Sequence, residues 1–254
     1  MNRQSNEMKK QKNRGRHVLW RNWEELPDFM KTEAVRPYYD SLNNKKGQLF
    51  LKRVFDFTVS SLMLAALSPV LAVLAILIRL DSEGPVFYRQ ERVTQYGRRF
   101  RIYKFRTMVQ DADKKGSLVT TQGDARITRM GKKLRGCRLD ELPQLINIWK
   151  GEMSFVGTRP EVVKYVKQYT DEMYATLLLP AGVTSEASVQ FKDEDQRIAA
   201  GVEAGRSSDE VYVEDVLGEK MEWNLRSLER FNFQNEIEIM FKTVFSVLKH
   251  SQSS

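Results

Sequence analysis

Two adjacent carboxylates, Asp140 and Glu141, sit in the stretch LDELPQL, with a proline two places after the pair. Neighbouring acids repel, so the pair calls for a reason. One reason is local. Asp is a favoured N-cap, Glu suits a first turn, and Pro143 is tolerated there because the first amides of a helix lack intrahelical partners. On that reading a helix runs from about Glu141 to Trp149 and Gly151 stops it. The other reason is chemical. Lys104 and Arg106 occupy alternate positions of one strand-like segment, Arg135 precedes Asp140 by five residues, and Arg159 is held between Thr158 and Pro160. Cations that neutralise phosphate oxygens, beside carboxylates that bind Mg²⁺ or attack phosphorus, are the ingredients of phosphoryl transfer. One acid then serves as nucleophile while its neighbour helps hold the metal.

Bulk properties agree with a polyanionic partner. The 254-residue chain carries a formal charge of +8, which suits nucleic acid, an anionic membrane or a phosphorylated substrate. A single cysteine, Cys137, excludes an internal disulfide, and His17 and His250 have no metal-ligand company. No glycine-rich nucleotide loop of the Walker or Rossmann type occurs.

The elements that must position the charged residues begin with FTVSSLMLAALSPVLAVLAILI, residues 57–78, which has no charged residue. Its length suffices to cross a bilayer core, and it lies too far from the N-terminus for a signal peptide. Two features argue against a plain crossing. Ser68-Pro69 sits at its centre, where proline bends or breaks a helix and the serine hydroxyl can take up a freed carbonyl. Both flanks are basic, with Lys52 and Arg53 before it and Arg79, Arg89 and Arg92 after it. A re-entrant hairpin keeps both flanks on the cytoplasmic side, whereas a straight span keeps only one. A kinked span and a buried core helix are the alternatives.

Residues 1–46 are polar and basic, with Trp20, Trp23, Tyr38 and Tyr39 scattered at no clear period. They read as a partly disordered arm. VFYRQERV and RRFRIYKFRTM flank the turn TQYG and read as a β-hairpin, with Phe100, Ile102, Lys104 and Arg106 on one face. A basic helix is expected over about 127–135, a helix from 160 to about 178, and amphipathic helices over 219–230 and 234–249, the last suited to packing or to the membrane interface.

The ordered set KRVFD, Ser68-Pro69, GPVFYRQERV, YKFRTM, DARIT and LRGCRLDELPQLINIWKGEMSFVGTRPE resembles that of the bacterial sugar transferases, the monotopic polyprenyl-phosphate phosphoglycosyl transferases. The resemblance runs from about Lys52 to Lys249. It implies that Asp140 attacks the β-phosphate of a UDP-sugar, that UMP leaves, and that the phospho-sugar passes to polyprenyl (undecaprenyl) phosphate as the first lipid-linked step of a surface glycan. It also implies Glu141 as a ligand of Mg²⁺, with Lys104, Arg135 and Arg159 around the phosphates; Arg106 matches the KFR motif. The implied fold is α+β and mostly helical. It has a re-entrant N-terminal membrane helix broken at Ser68-Pro69, a helix-associated β-hairpin and interfacial amphipathic helices, at the cytoplasmic face of the bacterial inner membrane.

On this basis the chain divides into an arm (1–46), a re-entrant membrane helix (47–80), a catalytic core (81–190) and C-terminal amphipathic helices (191–254). The implied partners are the UDP-sugar, the polyprenyl phosphate and the bilayer, with downstream glycosyltransferases or a second copy of the chain as further ones, and no nucleic acid. Two departures stand out. Thr158-Arg159-Pro160 replaces the usual Pro-Arg-Pro, and PAGVTSEASVQF replaces the common Pro-Gly-Ile-Thr-Gly stretch. The rival reading is a catalytically inactive, membrane-bound scaffold for glycan assembly enzymes.

Overall fold

The computed structural model describes residues 19–112, 124–191 and 194–251. The first α-helix among the described residues, α1 (Arg36–Asn43), has Pro37 in its first turn, where a missing amide hydrogen does no harm. It leads directly into α2, a helix of 36 residues from Lys46 to Asp81. The apolar run forms this helix because it has no glycine, asparagine or aspartate and only the central proline to interrupt it. Its most apolar 18-residue window has a mean hydropathy of 2.6 and is only 11% buried.

Helix α2 is continuous through Ser68-Pro69, where the sequence suggested a break. Proline at 69 cannot donate to the carbonyl of Ala65, four residues back. The Ser68 hydroxyl donates to that same carbonyl at 2.9 Å. One hydrogen bond is therefore replaced and the helix carries on.

Both halves of α2 rest on the same body. Before the proline, Met63, Leu64 and Leu67 pack on Phe100, Ile102, Leu145, Ile148 and Met153. After it, Leu71, Leu74 and Ala75 pack around Ile78, Phe105 and Leu134. The outer face, including Phe50, Val54, Phe57, Leu62, Val73, Ile76 and Leu80, is exposed.

Strands β1 (Phe87–Thr94) and β2 (Arg98–Phe105) pair antiparallel, with Phe87 opposite Phe105 and Tyr88 opposite Lys104. The turn places Tyr96 at φ 57° and Gly97 at φ 71°. A left-handed tyrosine is tolerated here because its ring is buried and its hydroxyl accepts the Arg21 amide. Helix α3 (Arg129–Gly136) is capped by the Thr128 side chain, and α4 (Gln144–Trp149) follows the acids. Strand β3 (Met153–Val156) pairs parallel with β4 (Ala181–Thr184). Parallel pairing demands a long crossover, here residues 157–180. That crossover is not the single helix expected. It holds one helical turn, Val163–Val166, and a 3₁₀ stretch, Met173–Leu178, whose Tyr174, Ala175, Leu177 and Leu178 are all buried.

Beyond β4 come α5 (Glu186–Gln190), α6 (Glu194–Glu203), α7 (Ser208–Val211), a π-helical turn over Tyr212–Val216, α8 (Leu217–Glu229) and α9 (Phe233–Ser251). The last two match the expected amphipathic pair, and α9 exposes Phe241 and Phe245.

Residues 19–46 correct the expectation of a partly disordered arm; residues 1–18 lie outside the described residues. Leu26, Phe29, Met30, Val35, Tyr38, Tyr39 and Leu42 are buried in the largest apolar cluster, together with Tyr174, Val216 and Leu225. Trp20 stacks on Tyr39, the Tyr38 hydroxyl donates to Glu172, and Lys45 donates to the carbonyl of Phe231. Burial of large side chains, not local periodicity, orders this segment.

Candidate active site

The site is assembled at the junction of β2, α3, α4 and the loop after β3. Helix α3 docks through Gly131: a Cβ there would lie 2.0 Å from the carbonyl oxygen of Thr107, so only glycine permits the approach. The Thr107 carbonyl accepts the Thr128 amide at 3.0 Å, and its hydroxyl accepts Arg135 Nε at 3.1 Å. After α3 the chain reverses at Arg138, which adopts φ 55°. A left-handed residue after a helix is a common C-terminal stop. The reversal delivers a 3₁₀ turn, Leu139–Glu141. Neither acid caps α4, which begins after Pro143 without a side-chain cap. Capping by Asp140 is thereby removed as a reason for the pair, although both acids do occupy a first turn.

Strand β2 is tied to α4 by Asn147, a fully buried side chain. Its Oδ1 accepts the Tyr103 amide at 2.8 Å and its Nδ2 donates to the Arg101 carbonyl at 3.1 Å. The amide thus bonds the strand edge as a neighbouring strand would. This clamp sets Lys104, the next residue of β2, against the acids. Sequence reasoning missed Asn147; the available signal was an amide set between the apolar residues Ile146 and Ile148.

Arg159 arrives from the other side. Gly157 and Gly182 face each other across β3 and β4, and a Cβ on Gly182 would lie 2.2 Å from the Gly157 nitrogen. That close contact brings the Thr158–Pro160 loop against the site. Lys104 Nζ and Arg159 Nη2 both donate to the same oxygen, Glu141 Oε1, each at 2.7 Å. Burial alone would push the Glu141 carboxyl up, but Arg159 and Lys104 hold it well below the usual carboxylate range. The Arg159 guanidinium is correspondingly held more firmly charged, chiefly by Glu141.

Asp140 has different surroundings. It is 8% exposed and, among the described residues, takes part in neither of its neighbour's ion pairs. Burial pushes its carboxyl up, Lys104 and Arg135 pull it back, and the Glu141 charge adds to the rise. Two neighbouring carboxylates thus diverge: one neutralised by two cations, the other less compensated and more basic.

The structure brings Lys104, Arg135, Asp140, Glu141 and Arg159 together. Arg106 goes elsewhere. It is 5% exposed, and its guanidinium donates to the carbonyls of Ile78, Ser82 and Glu83, closing the C-terminus of α2. Ser68 and Pro69 lie within α2, where the Ser68 hydroxyl donates to the Ala65 carbonyl. Among the described residues no group of three or more Asp, Glu, His or Cys side chains forms a metal cage. The donor set nevertheless fits Mg²⁺, which binds through one or two carboxylates and completes its shell with water and phosphate oxygens. Both cations on Glu141 use Oε1, so neither occupies Oε2.

A family model described as bacterial sugar transferase matches residues 47–250. The chain is 35% identical over 203 residues to the UDP-N-acetylgalactosamine-undecaprenyl-phosphate N-acetylgalactosaminephosphotransferase of Aeromonas hydrophila, covering 78% of this chain and 44% of the relative. It is 32% identical over 220 residues to the UDP-glucose:undecaprenyl-phosphate glucose-1-phosphate transferase of Escherichia coli, covering 85% of this chain and 44% of the relative. A protein of the same name from Caulobacter vibrioides is 31% identical over 200 residues, covering 78% of this chain and 69% of the relative. The chain therefore spans less than half the length of the first two relatives. The match over residues 47–250 takes in the carboxylate pair and all of its cations, and the chain belongs to the bacterial sugar transferase family.

Proposed function

We propose that this protein transfers a phospho-sugar from a UDP-sugar to undecaprenyl phosphate through a covalent intermediate on Asp140. The observation that carries the reading is the asymmetry of the pair: Glu141 holds Lys104 and Arg159, while the buried Asp140 carboxylate carries neither. An Asp140 oxygen attacks the β-phosphorus, the bond to the bridging oxygen breaks, and UMP departs with that oxygen and its electron pair. A phosphate oxygen of the polyprenyl acceptor then attacks the same phosphorus, and the carboxylate is released unchanged. Lys104, Arg135 and Arg159 spread the negative charge on the phosphoryl oxygens and orient the donor. Glu141 would help to hold Mg²⁺, which would supply charge neutralisation when bound. The names of the relatives support the donor and acceptor classes.

The reaction takes place at the cytoplasmic face of the inner membrane, with α2 as a re-entrant element, and starts a lipid-linked surface glycan. Support for this topology comes from the two ends of α2. Lys52 donates to the Val156 carbonyl and Arg53 to the Ile148 carbonyl, while Asp81 accepts the Met130 amide. Both ends are thus fastened to one body, and the apolar outer face between them is left for lipid.

The test is covalent trapping. Mixed with a UDP-sugar and no lipid, the protein is expected to gain the mass of a sugar phosphate on Asp140 and release one equivalent of UMP. Asp140→Asn is expected to abolish both, with a loss of turnover of at least about 10³-fold. Wild-type protein that releases no UMP with any UDP-sugar would instead support the inactive scaffold.

A further inference from the structure

The loop that carries Arg159 has a proline on one side only. Its remaining restraints come from behind. The Thr158 carbonyl accepts the Gly182 amide at 2.9 Å, the Pro160 carbonyl accepts Arg92 Nη1 at 3.1 Å, and the Glu161 carbonyl accepts the Val93 amide at 2.9 Å. The Glu161 side chain is buried, and its Oε1 accepts the Tyr212 hydroxyl. Lys220 Nζ lies 3.9 Å from that oxygen, donates to the Tyr212 hydroxyl at 3.2 Å, and pairs with Glu194 at 3.0 Å. Tyr212 and Lys220 are themselves buried.

A buried charge network of this kind adds little net stability compared with apolar packing, but breaking it leaves an uncompensated buried charge. The helix that bears it is adapted to the purpose. Eight residues of regular α-helix turn through about 800°, which would leave positions 212 and 220 roughly 80° apart around the axis. The π-helical turn Tyr212–Val216 absorbs one residue and brings the two onto nearly one face, toward Glu161. Behind the loop lies a small cavity lined by Val93, Tyr169, Thr176 and Leu179, so a loop released from Glu161 has somewhere to go.

We propose that Tyr212 is a positioning residue for the reaction: its hydroxyl, backed by Lys220, fixes the Glu161 carboxylate and through it the 158–161 loop, so that Arg159 meets Glu141. This inference rests on the proposed phospho-sugar transfer for its catalytic consequence, but not for its geometric one.

Tyr212→Phe removes the hydroxyl and keeps the ring that packs 4.6 Å from Tyr165. In full-length protein in lipid nanodiscs, the ¹⁵N–¹H resonance of Arg159 Nε, assigned by its loss in Arg159→Lys, is expected to shift or broaden in Tyr212→Phe. The kcat for UMP release is expected to fall roughly tenfold, as misplacement of an orienting group does. In an Arg159→Lys background, Tyr212→Phe is expected to lower kcat by less than about twofold, because both changes act through one contact. An unmoved Arg159 resonance, or two substitutions whose effects multiply in full, overturns the proposal. If Tyr212→Phe does not accumulate as folded protein, Lys220→Met is carried through the same two readouts and judged by the same outcomes. Failure of the wild-type protein to release UMP refutes the transfer reaction, while the resonance still decides the positioning role.

Discussion

Asp140 and Glu141 share a peptide bond but not an environment, and the difference comes from which oxygen meets which cation. Glu141 Oε1 takes Lys104 and Arg159 together. Removing that carboxylate leaves two neighbouring cations unpaired, with Arg159 partly open to solvent, so Glu141→Gln is expected to destabilise the protein by about 1–2 kcal/mol at pH 7. The sign with pH follows from the depressed folded-state pKa. Stability from Glu141 is fully present above its unfolded pKa, about 4.3, and is lost as pH falls toward the lower folded value. Chemical denaturation at pH 7 and at pH 3 should therefore show a gap between wild type and Glu141→Gln that narrows in acid. An equal gap at both pH values would mean that the ion pairs do not set the Glu141 protonation equilibrium. The acids and three of their four cations were legible from residue type and order. Arg106 was not, because strand alternation assigns a face but cannot say that the carbonyls at the end of α2 would claim the guanidinium.

At the scale of elements, the hairpin and the two C-terminal helices were readable because alternation in β1 and β2 and amphipathicity in α8 and α9 are local signals. The stretch from 160 to about 178 was misread as one helix. Its apolar residues are buried on all sides, so helical spacing carries no information about a crossover that packs through Tyr174 and Leu178. The partners of the Asn147 clamp could not be read either, since they lie 44 and 46 residues away in sequence. Asn147→Ala should leave the Tyr103 amide and the Arg101 carbonyl unpaired and cost about 2–4 kcal/mol, read as a lower denaturant midpoint together with slower UMP release. A change within 0.5 kcal/mol, on the scale of a neutral surface substitution, would remove the clamp from the account. Helix α2 makes a separate prediction. In a Cys137→Ser background, single cysteines at the exposed positions Lys46 and Glu83 are expected to react with an impermeant maleimide from the cytoplasmic side only. Labelling of the two from opposite sides would make α2 a true crossing.

On the scale of the whole molecule, the family match starts at residue 47, yet the core does not. Leu42 and Met30 are fully buried among side chains from the crossover and α8. Leu42→Ala is expected to cost about 2–5 kcal/mol, the range for emptying a packed leucine site, measured as a drop in melting temperature. A drop of less than 1 °C would mean that residues 19–46 are dispensable to the fold. This segment was unreadable in the sequence because its order comes from partners more than a hundred residues downstream, such as Glu172 for Tyr38. Its own residues show no period that would announce a buried face.

The pairing of Lys52 at the head of α2 with Glu236 in α9, 184 residues later, sets a timetable for biosynthesis. At typical translation speeds of 5–20 residues per second, the apolar helix waits roughly 10–40 s after leaving the ribosome before this C-terminal partner has been made. The finished protein does little to change its exposure, since it buries only 11% of the most apolar window. If α2 meets lipid as proposed, the globular part closes around a helix that is already in place at the bilayer.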